Sequence, residues 1–347
     1  MSKKAANLCL FILVLFVVCP VLCELFIRAG IFFNVKSFRN PALYADCYSD
    51  DNYWKLQHTW QGQWKFPGKD LIDPILGWIP KPGKNNSLGI IIDPARSINF
   101  LGKTVLCYGD SFIAGNTEIK DRIPQKLQEL LPDCNVYNLG VGGYGLDQIF
   151  LRFKNTHAYF RQPVVVIGIL TTDLDRSILT IRTGPKPYFT IKEGMLVLKG
   201  IPVAQDPEAW LKNHPPRIKS YFFAFINRLR WIIRAKGNKR EFIYLQGLAY
   251  KQKQKKEINR LILKSIAKEA RKNNLKLLFV IFYDAEELHK NDWRSVFLKE
   301  EFTGLRTDFL DIKDVLLKDS MNTSSSTSSY YLEEGHLNEK GNRVVAR

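Results

Sequence analysis

The sequence predicts an α/β fold built on a five-stranded parallel sheet with helices on both faces. Short, continuous runs of apolar and β-branched residues, such as PVVVIGIL at 163–170, lack the alternation of a half-exposed strand. Between these runs lie helical patterns, in which apolar residues such as Ile123, Leu127 and Leu130 share one face. Doubly buried strands that alternate with helices are typical of a parallel sheet.

The five predicted strands follow one another along most of the chain. They are TVLCYG (104–109), NVYNLG (135–140), PVVVIGIL (163–170), LKLLFVIFY (275–283) and TDFLDI (307–312). The helix after the first strand has Pro124 in its first turn and Pro132 beyond its end. A second helix is predicted around 148–159, a loop at 322–329, and a final helix from Asn338.

Residues 171–274 interrupt this alternation, and we predict that they form an insertion after the third strand. The segment 187–200 is typical of a hairpin that turns at Glu193 and Gly194. An aromatic helix flanked by arginines follows at 220–235, and a basic run then leads into another helix. The insertion is either a solvated helical surface or a surface that meets anionic lipid or glycan.

The N-terminus carries an apolar segment that can enter a membrane. Lysines precede an apolar run from Leu8 to Cys23, which Leu25 to Ile27 extend towards the ~20 residues of a spanning helix. The absence of a small-residue cleavage pattern favours a retained signal anchor, residues 1–27, over a cleaved signal peptide. We therefore expect a single pass through the inner membrane, an extension at 28–100 packed on the core, and a main domain at 101–347 on the periplasmic side.

The chain is basic, with 51 lysines and arginines against 34 acidic residues and a formal charge of +17. This excess favours a membrane surface, an acidic polysaccharide or a nucleic acid as a neighbour. Since no helix-turn-helix, zinc-finger or RNA-binding signature is present, we do not expect a nucleic-acid partner. The six cysteines form no C-x-x-C pair, so no metal or redox site is predicted, although one disulfide involving Cys47, Cys107 or Cys134 stays open.

The candidate site begins at GDSF, residues 109–112, where the first strand ends. Ligands bind at the carboxyl ends of the strands in such sheets, and Ser111 lies there. A serine nucleophile needs a base within hydrogen-bond reach. Among five histidines, His336 follows Glu333 and Glu334, either of which can orient the imidazole. The alternative is that Ser111 merely caps the helix that follows it.

These segments resemble the conserved blocks of the SGNH, or GDSL-type, serine hydrolases. GDSF matches the nucleophile block, NLGVGGYGLDQ at 138–148 the second block, and EEGHLNEKG the block that carries the catalytic histidine. The resemblance covers about residues 100–170 and 275–347 and implies a flavodoxin-like three-layer sandwich. The upstream LGWIPKPG and the insertion resemble a membrane-anchored bacterial subgroup.

The resemblance implies a role for each matching residue. The expected catalytic and oxyanion residues are Ser111, His336, Glu334 or Glu333, Gly143 and Thr172. Asp110, Asn138 and Asp173 are expected to be structural residues beside the site.

Two positions depart from the family pattern. The family's third block is G-x-N-D, but GILTTDLDR places Thr172 where an asparagine would donate to the oxyanion. Loss of one such donor typically costs ~10²–10³ in rate. The acid is also a glutamate, Glu334 or Glu333, in place of the usual aspartate, and the sequence leaves both open.

The resemblance implies an exported serine esterase that hydrolyses or transfers ester-linked acyl groups without a metal or organic cofactor. The expected substrate is an O-acetyl group on a cell-surface or exopolysaccharide sugar. Two alternatives stay open: a catalytically weak glycan-binding or scaffold protein, and a membrane-proximal lipid esterase or thioesterase.

Overall fold

A computed structural model of the chain describes residues 3–46, 48–61, 70–81, 88–92 and 102–347. The strands are β1 Asp70–Asp73, β2 Gly77–Pro80, β3 Lys103–Tyr108, β4 Cys134–Asn138, β5 Val164–Leu170, β6 Tyr188–Lys192, β7 Met195–Lys199, β8 Lys276–Phe282 and β9 Asp308–Asp311. Cys47, which was considered for a disulfide, lies outside the described residues. Cys107 and Cys134 are free thiols.

The helices lie before, between and after these strands. They are α1 Lys3–Leu13, α2 Cys19–Phe32, α3 Asp51–Gln61, α4 Ser111–Ala114, α5 Ile123–Leu130, α6 Leu146–Thr156, α7 Asp173–Arg176, α8 Pro207–Asn213, α9 Tyr221–Arg234, α10 Lys239–Ala249, α11 Gln252–Lys272, α12 Trp293–Leu305, α13 Ile312–Thr323 and α14 Glu339–Ala346. A π-helical segment, Val14–Val18, connects α1 to α2.

Five strands form one parallel sheet in the order β4-β3-β5-β8-β9. β3 lies between β4 and β5, so that Cys107 pairs with Asn138 and Tyr108 pairs with Ile167. The strand order reverses between β3 and β5, and such a switch point is where sheets of this kind bind ligands. The predicted α/β fold with a five-stranded parallel sheet is confirmed.

Two layers of helices cover this sheet. In one layer α11 contacts both α6 and α12, and these helices reach β3, β8 and β9. In the other, α14 contacts both α5 and α13, and α5 and α13 reach β4 and β8. The central strand residues Leu106, Ile167 and Phe279 are fully buried. Burial from both sides is the reason that these strands are continuous apolar runs in the sequence.

The chain divides into two compact units. One unit contains residues 1–64 and 208–250, and the other contains residues 65–207 and 251–347, including the parallel sheet. Within the predicted insertion, α11 belongs to the sheet unit as the crossover helix before β8. The domain boundaries read from the sequence stay a prediction.

In the first unit, a helical segment runs from Lys3 to Phe32. It has 30 residues and is long and apolar enough, by length and composition, to cross a membrane. Glu24 accepts hydrogen bonds from Ser220 Oγ and from Phe222 N, both at 2.8 Å, and so caps the N-terminus of α9. Ile27 lies in the buried apolar cluster of this unit. The C-terminal end of the segment is therefore part of the packed unit.

Residues 28–100, expected to form an extension, contain regular elements where the structure describes them. Residues Asp51–Gln61 form α3, and β1 and β2 form an antiparallel hairpin. Asp73 Oδ1 stabilises the hairpin turn by accepting hydrogen bonds from Ile75 N at 2.8 Å and Leu76 N at 2.7 Å. Strands of four residues are too short for a periodic pattern in the sequence to reveal them.

The described parts of the predicted insertion contain the elements that the sequence indicates. The β6–β7 hairpin turns at Glu193 and Gly194, with φ angles of 52° and 74°. The aromatic helix is α9, and most of the basic run, 250–257, forms the first turns of α11. The loop predicted at 322–329 differs, because α13 extends to Thr323 and a 3₁₀ helix covers Thr327–Tyr330.

Candidate active site

Ser111 begins the short helix α4 directly after β3. Asp110 caps this helix, with its Oδ1 accepting a hydrogen bond from Phe112 N at 2.9 Å. A Cβ atom on Gly109 would lie 2.5 Å from Ile113 Cγ1, so this close turn requires glycine. The turn presents the serine at the switch point between β3 and β5.

His336 lies in a tight loop before α14. Its backbone oxygen accepts a hydrogen bond from Leu332 N at 2.8 Å, and Gly335 adopts a φ of 101°. The Nε2 atom of His336 is 2.8 Å from Ser111 Oγ. The ring of Phe112 packs against the imidazole, with 5.1 Å between the ring centroids. The fold thus brings together a serine and a histidine that are 225 residues apart.

The two glutamates before His336 are not equivalent. Glu334 Oε1 lies 3.7 Å from His336 Nδ1, which is longer than a hydrogen bond, and the Glu334 side chain is 51% exposed. Glu333 is also exposed. The Nδ2 atom of Asn116, by contrast, lies 3.1 Å from Nδ1 and 3.5 Å from Glu334 Oε1. An amide that the sequence reasoning missed therefore lies within hydrogen-bond distance of the imidazole.

A buried ion triad adjoins the nucleophile. Arg176 Nη1 donates to Asp110 Oδ2 at 2.9 Å and to Asp173 Oδ1 at 2.6 Å, and all three side chains are at most 7% exposed. Burial and then the charge of Asp110 raise the pKa of Asp173 well above its ordinary value. Ser111 Oγ lies 3.3 Å from Asp110 Oδ2. The triad thus connects Asp110 and Asp173, two of the expected structural residues, to the turn that carries the serine.

The surroundings of His336 favour its neutral form. Burial lowers the pKa of His336 below its ordinary value, and Arg176 acts in the same direction. The charges of Asp110, Glu334 and Asp284 act in the opposite direction. A neutral imidazole is the form that can accept a proton from a serine hydroxyl.

The backbone N–H groups of Ser111 and Gly143 are among those in this region that make no hydrogen bond to another described residue. A Cβ atom on the neighbouring Gly142 would lie 4.0 Å from Ser111 Cβ, so this loop passes beside the nucleophile. Trp78 Nε1 donates to Gly142 O at 3.0 Å and holds the loop in place. Uncommitted backbone donors next to a serine are what a developing oxyanion requires.

Thr172, expected at the third oxyanion position, follows the end of β5 and is 1% exposed. Its backbone oxygen accepts hydrogen bonds from Asp175 N at 3.0 Å and Arg176 N at 3.3 Å. Its hydroxyl makes no hydrogen bond to another described residue. Thr172 thus lies beside the ion triad with an uncommitted hydroxyl.

Asn138 lies at the end of β4 and holds two neighbouring turns. Its Oδ1 accepts a hydrogen bond from Gly140 N at 3.0 Å, and its Nδ2 donates to Ala114 O at 3.3 Å. The first bond shapes the loop that leads to Gly143, and the second reaches the end of α4. Asn138 therefore links the two segments that flank Ser111.

The sequence reasoning missed three residues of this site: Asn116, Arg176 and Trp78. Arg176 had a local signal, because it follows Asp173 by three residues directly after a predicted strand. Trp78 belonged to a segment that we considered only as an extension. For Asn116, nothing in the neighbouring sequence indicates that it would approach a histidine 220 positions away.

Within the described part of the chain, no group of three or more histidine, cysteine, aspartate or glutamate side chains is arranged to hold a metal ion. The site described above consists of side chains and backbone donors. A reaction without metal or organic cofactor stays a prediction.

Comparisons with known proteins give only distant structural matches. No protein-family model matches the chain, and no curated protein matches it. One similar structure is a lipolytic protein of the G-D-S-L family from Veillonella parvula, at 12% identity and a TM-score of 0.38, covering 71% of this chain and 94% of that one. Another is LAE5, an alpha/beta hydrolase enzyme from the metagenome of Lake Arreo, at 11% identity and a TM-score of 0.40, covering 71% and 92%. At identities of 11–12% and TM-scores of 0.38–0.40, these matches give no information about the site.

Proposed function

We propose that this protein is a serine esterase of the SGNH type. The observation that carries the proposal is the 2.8 Å contact between Ser111 Oγ and His336 Nε2 at the switch point of a parallel sheet. The uncommitted N–H groups of Ser111 and Gly143 and the lowered pKa of His336 support it. A serine that only capped a helix would not need a neutral imidazole at its hydroxyl.

The proposed reaction has two steps. Ser111 Oγ attacks the ester carbonyl carbon as His336 Nε2 accepts the hydroxyl proton, and the N–H groups of Ser111 and Gly143 stabilise the oxyanion. The protonated imidazole then gives this proton to the departing alcohol oxygen, which leaves an acyl-serine. Water, activated by the same imidazole, releases the acid and restores the serine. A sugar hydroxyl in place of water would make the reaction an acyl transfer.

We propose an O-acetyl group on a cell-surface or exopolysaccharide sugar as the substrate. Its support is the resemblance of the sequence to membrane-anchored bacterial members of the family and the formal charge of +17, which favours an acidic polysaccharide. Release of acetate from O-acetylated polysaccharide by the wild-type chain, but not by Ser111→Ala, is the expected result. Release of acetate from acetylated lipid alone would contradict the substrate.

The activated serine is tested with a fluorophosphonate probe on the full-length chain in detergent. We expect labelling of the wild type and its loss in both Ser111→Ala and His336→Ala. The matched controls, Ser328→Ala and His214→Ala, remove an exposed serine and an exposed histidine and should leave labelling unchanged. A folded wild-type chain without labelling would contradict the proposal.

One observation favours a second candidate, a catalytically weak glycan-binding protein. Thr172 stands where the family has an asparagine, and a threonine hydroxyl reaches less far than an amide. Glycan binding that Ser111→Ala leaves unchanged, together with absent probe labelling, would support this candidate. A preference for long synthetic acyl esters over acetyl esters would instead support a lipid esterase or thioesterase.

We also propose that the N-terminal segment is a retained membrane anchor, with the sheet unit on the periplasmic side. Its support is the 30-residue helix and the contacts that Glu24 and Ile27 make inside the first unit. Intact mass spectrometry of protein extracted from membranes should show an uncleaved chain that alkaline carbonate does not release. A measured mass equal to that of a chain beginning near Glu24 would show a cleaved signal peptide.

Helix α9 is the proposed contact with anionic lipid. Phe223, Ile226 and Ile233 are 61%, 45% and 69% exposed, and their spacing places them along one side of the helix, next to Arg230. The N-terminus of α9 lies beside Glu24, which directly follows the apolar run Leu8 to Cys23. An exposed apolar stripe with arginine at the end of an anchor suits the headgroup region of a bilayer.

The contact is tested with Phe223→Trp in nanodiscs that contain brominated lipid. The fluorescence that this variant gains over wild type should be quenched, and more strongly with phosphatidylglycerol than with phosphatidylcholine. Equal fluorescence in brominated and ordinary lipid would show that α9 lies in water, and glycan binding would then be tested.

A further inference from the structure

The amide of Asn116 and the imidazole of His336 are within hydrogen-bond distance. Asn116 Nδ2 lies 3.1 Å from His336 Nδ1, on the side of the ring opposite the atom that contacts Ser111. Glu334 Oε1, the acid expected from the sequence, lies 3.7 Å from Nδ1 and belongs to a half-exposed side chain. Of these two groups, the one better placed to orient the imidazole is therefore the neutral amide of Asn116.

The loop that carries Asn116 is held at both ends. Arg122 donates to Ala114 O through Nη1 at 2.9 Å and to Thr117 O through Nε at 3.1 Å. Asn342, on α14, reaches Thr117 Oγ1 at 3.3 Å. The backbone on both sides of Asn116 is thus fixed to buried or half-buried parts of the sheet unit. A fixed backbone positions the amide before any substrate binds.

The position of one proton decides whether His336 can act as a base. Nε2 must lack a proton to accept one from Ser111 Oγ, so the neutral ring must carry its proton on Nδ1 and donate it. The oxygen and nitrogen of an amide are assigned from the surrounding hydrogen bonds. With Oδ1 of Asn116 turned towards Nδ1, the amide accepts this proton, and the half-exposed Glu334 carboxylate, which lies 3.5 Å from that amide position, turns towards solvent. With Nδ2 turned towards Nδ1, the proton would lie on Nε2 and block the base.

We propose that Asn116 Oδ1 accepts the hydrogen bond from His336 Nδ1 and holds the imidazole in the tautomer that leaves Nε2 free. Asn116 is a positioning residue, because it acts through the imidazole and not on the substrate. The inference rests on the proposed esterase function and specifies how its base is oriented. A neutral amide does not raise the pKa of the imidazole as a paired carboxylate would.

The first test compares Asn116→Ala with Glu334→Gln in the full-length chain in detergent. Both side chains are exposed, so neither change should disturb the fold. With p-nitrophenyl acetate, Asn116→Ala should lower kcat by about 10- to 100-fold with little change in KM, and Glu334→Gln should lower kcat by less than about 3-fold. An unchanged kcat in Asn116→Ala, or a larger loss in Glu334→Gln, would overturn the proposal.

A conservative variant separates positioning from structure. Asn116→Asp keeps an acceptor for Nδ1 but adds a negative charge, so kcat should recover relative to Asn116→Ala at alkaline pH. The added charge raises the pKa of His336 and should move the acid limb of the kcat/KM profile about one pH unit upward. The other charged groups that act on the ring are Asp110, Glu334, Asp284 and Arg176, and none of them changes in this variant. A limb that stays in place would contradict contact between residue 116 and the imidazole.

A second measurement needs no turnover. In ¹⁵N-histidine-labelled protein, the signals of His336 are identified by their loss in His336→Gln. We expect the wild-type ring to be protonated on Nδ1 at neutral pH, and Asn116→Ala to shift it towards the Nε2-protonated form. A wild-type ring protonated on Nε2 would overturn the proposal even if the esterase is active. Absent probe labelling with the expected tautomer would instead count against the esterase function alone.

Discussion

The two sides of the serine–histidine pair are built in different ways. On the serine side, Asp110, Arg176 and Asp173 form a triad that is at most 7% exposed. On the histidine side, Asn116 and Glu334 are exposed to solvent. The serine is thus held by charges inside the fold, and the histidine is oriented by neutral or screened groups at its surface.

Because of this difference, substitutions on the two sides should affect different properties, the stability of the fold on one side and catalysis on the other. Removing one member of a buried ion pair leaves an uncompensated charge and destabilises the fold, because no water replaces the lost partner. An exposed group leaves little behind when it is removed, since water takes its place. Changes on the serine side should therefore appear in unfolding experiments, and changes on the histidine side should appear in rates and pH profiles.

The largest effect is expected from Arg176→Met. This change leaves Asp110 and Asp173 buried without their cation and should lower the free energy of unfolding by about 3–5 kcal/mol. Urea unfolding of the purified chain in detergent measures the loss. The control is Arg343→Met, because Arg343 pairs with Glu339 between two half-exposed side chains and should contribute less than about 1 kcal/mol. Equal losses in the two variants would remove the distinction between the two sides.

A large loss of rate without unfolding is expected from Gly143→Ala. Gly143 has a φ of 83°, which strains any residue that carries a side chain, so alanine there should shift the loop. A Cβ atom would also lie 1.9 Å from Arg182 Nη1, the flexible end of a side chain that can move aside. Displacing its N–H from the oxyanion should lower kcat/KM by about 10²-fold. Gly194→Ala is the matched control, since Gly194 has a φ of 74° and open space around it. Similar losses of rate in both variants would show that backbone strain is responsible.

A smaller effect is expected from Thr172→Val, which removes the hydroxyl and keeps the shape of the side chain. If the hydroxyl donates to the oxyanion, kcat should fall about 10-fold, near the lower end for such donors. Thr172→Ser keeps the hydroxyl and should retain most of the rate. Equal kcat in wild type and Thr172→Val would exclude Thr172 from the oxyanion site.

The smallest effect is expected in the pH profile of Glu334→Gln. Burial lowers the pKa of His336 from its ordinary value of 6.5, so the acid limb of kcat/KM should lie below pH 6.5 in the wild type. The charge of Glu334 acts against this lowering, and its removal should move the limb further down. Because the side chain is half exposed, the expected shift is about a few tenths of a unit. Glu339→Gln is the control, and an upward shift in Glu334→Gln would contradict the assignment.

Much of the sheet could be predicted from local patterns. PVVVIGIL at 163–170 is a continuous apolar run because β5 is covered on both faces, and β5 covers Val164–Leu170. GDSF was identified as the end of a strand because a glycine bounds the apolar run TVLCYG. The hairpin at 70–80 was missed, since its strands have four residues each and carry no periodic signal.

The sequence alone determined the features that depend on neighbouring residues. These are the strands, the turn that presents Ser111, the apolar N-terminal helix and the order of the motifs, all of which follow from burial periodicity and local backbone chemistry. The tertiary structure alone decided which distant side chains meet. Asn116 lies beside His336 although 220 positions separate them in the sequence, and Arg176 lies beside Asp110 although 66 positions separate them. Glu24 caps the start of α9, which is almost 200 positions further along the chain. A side-chain hydrogen bond requires donor and acceptor within about 3 Å, and only the register of the strands and the packing of the helices set that distance.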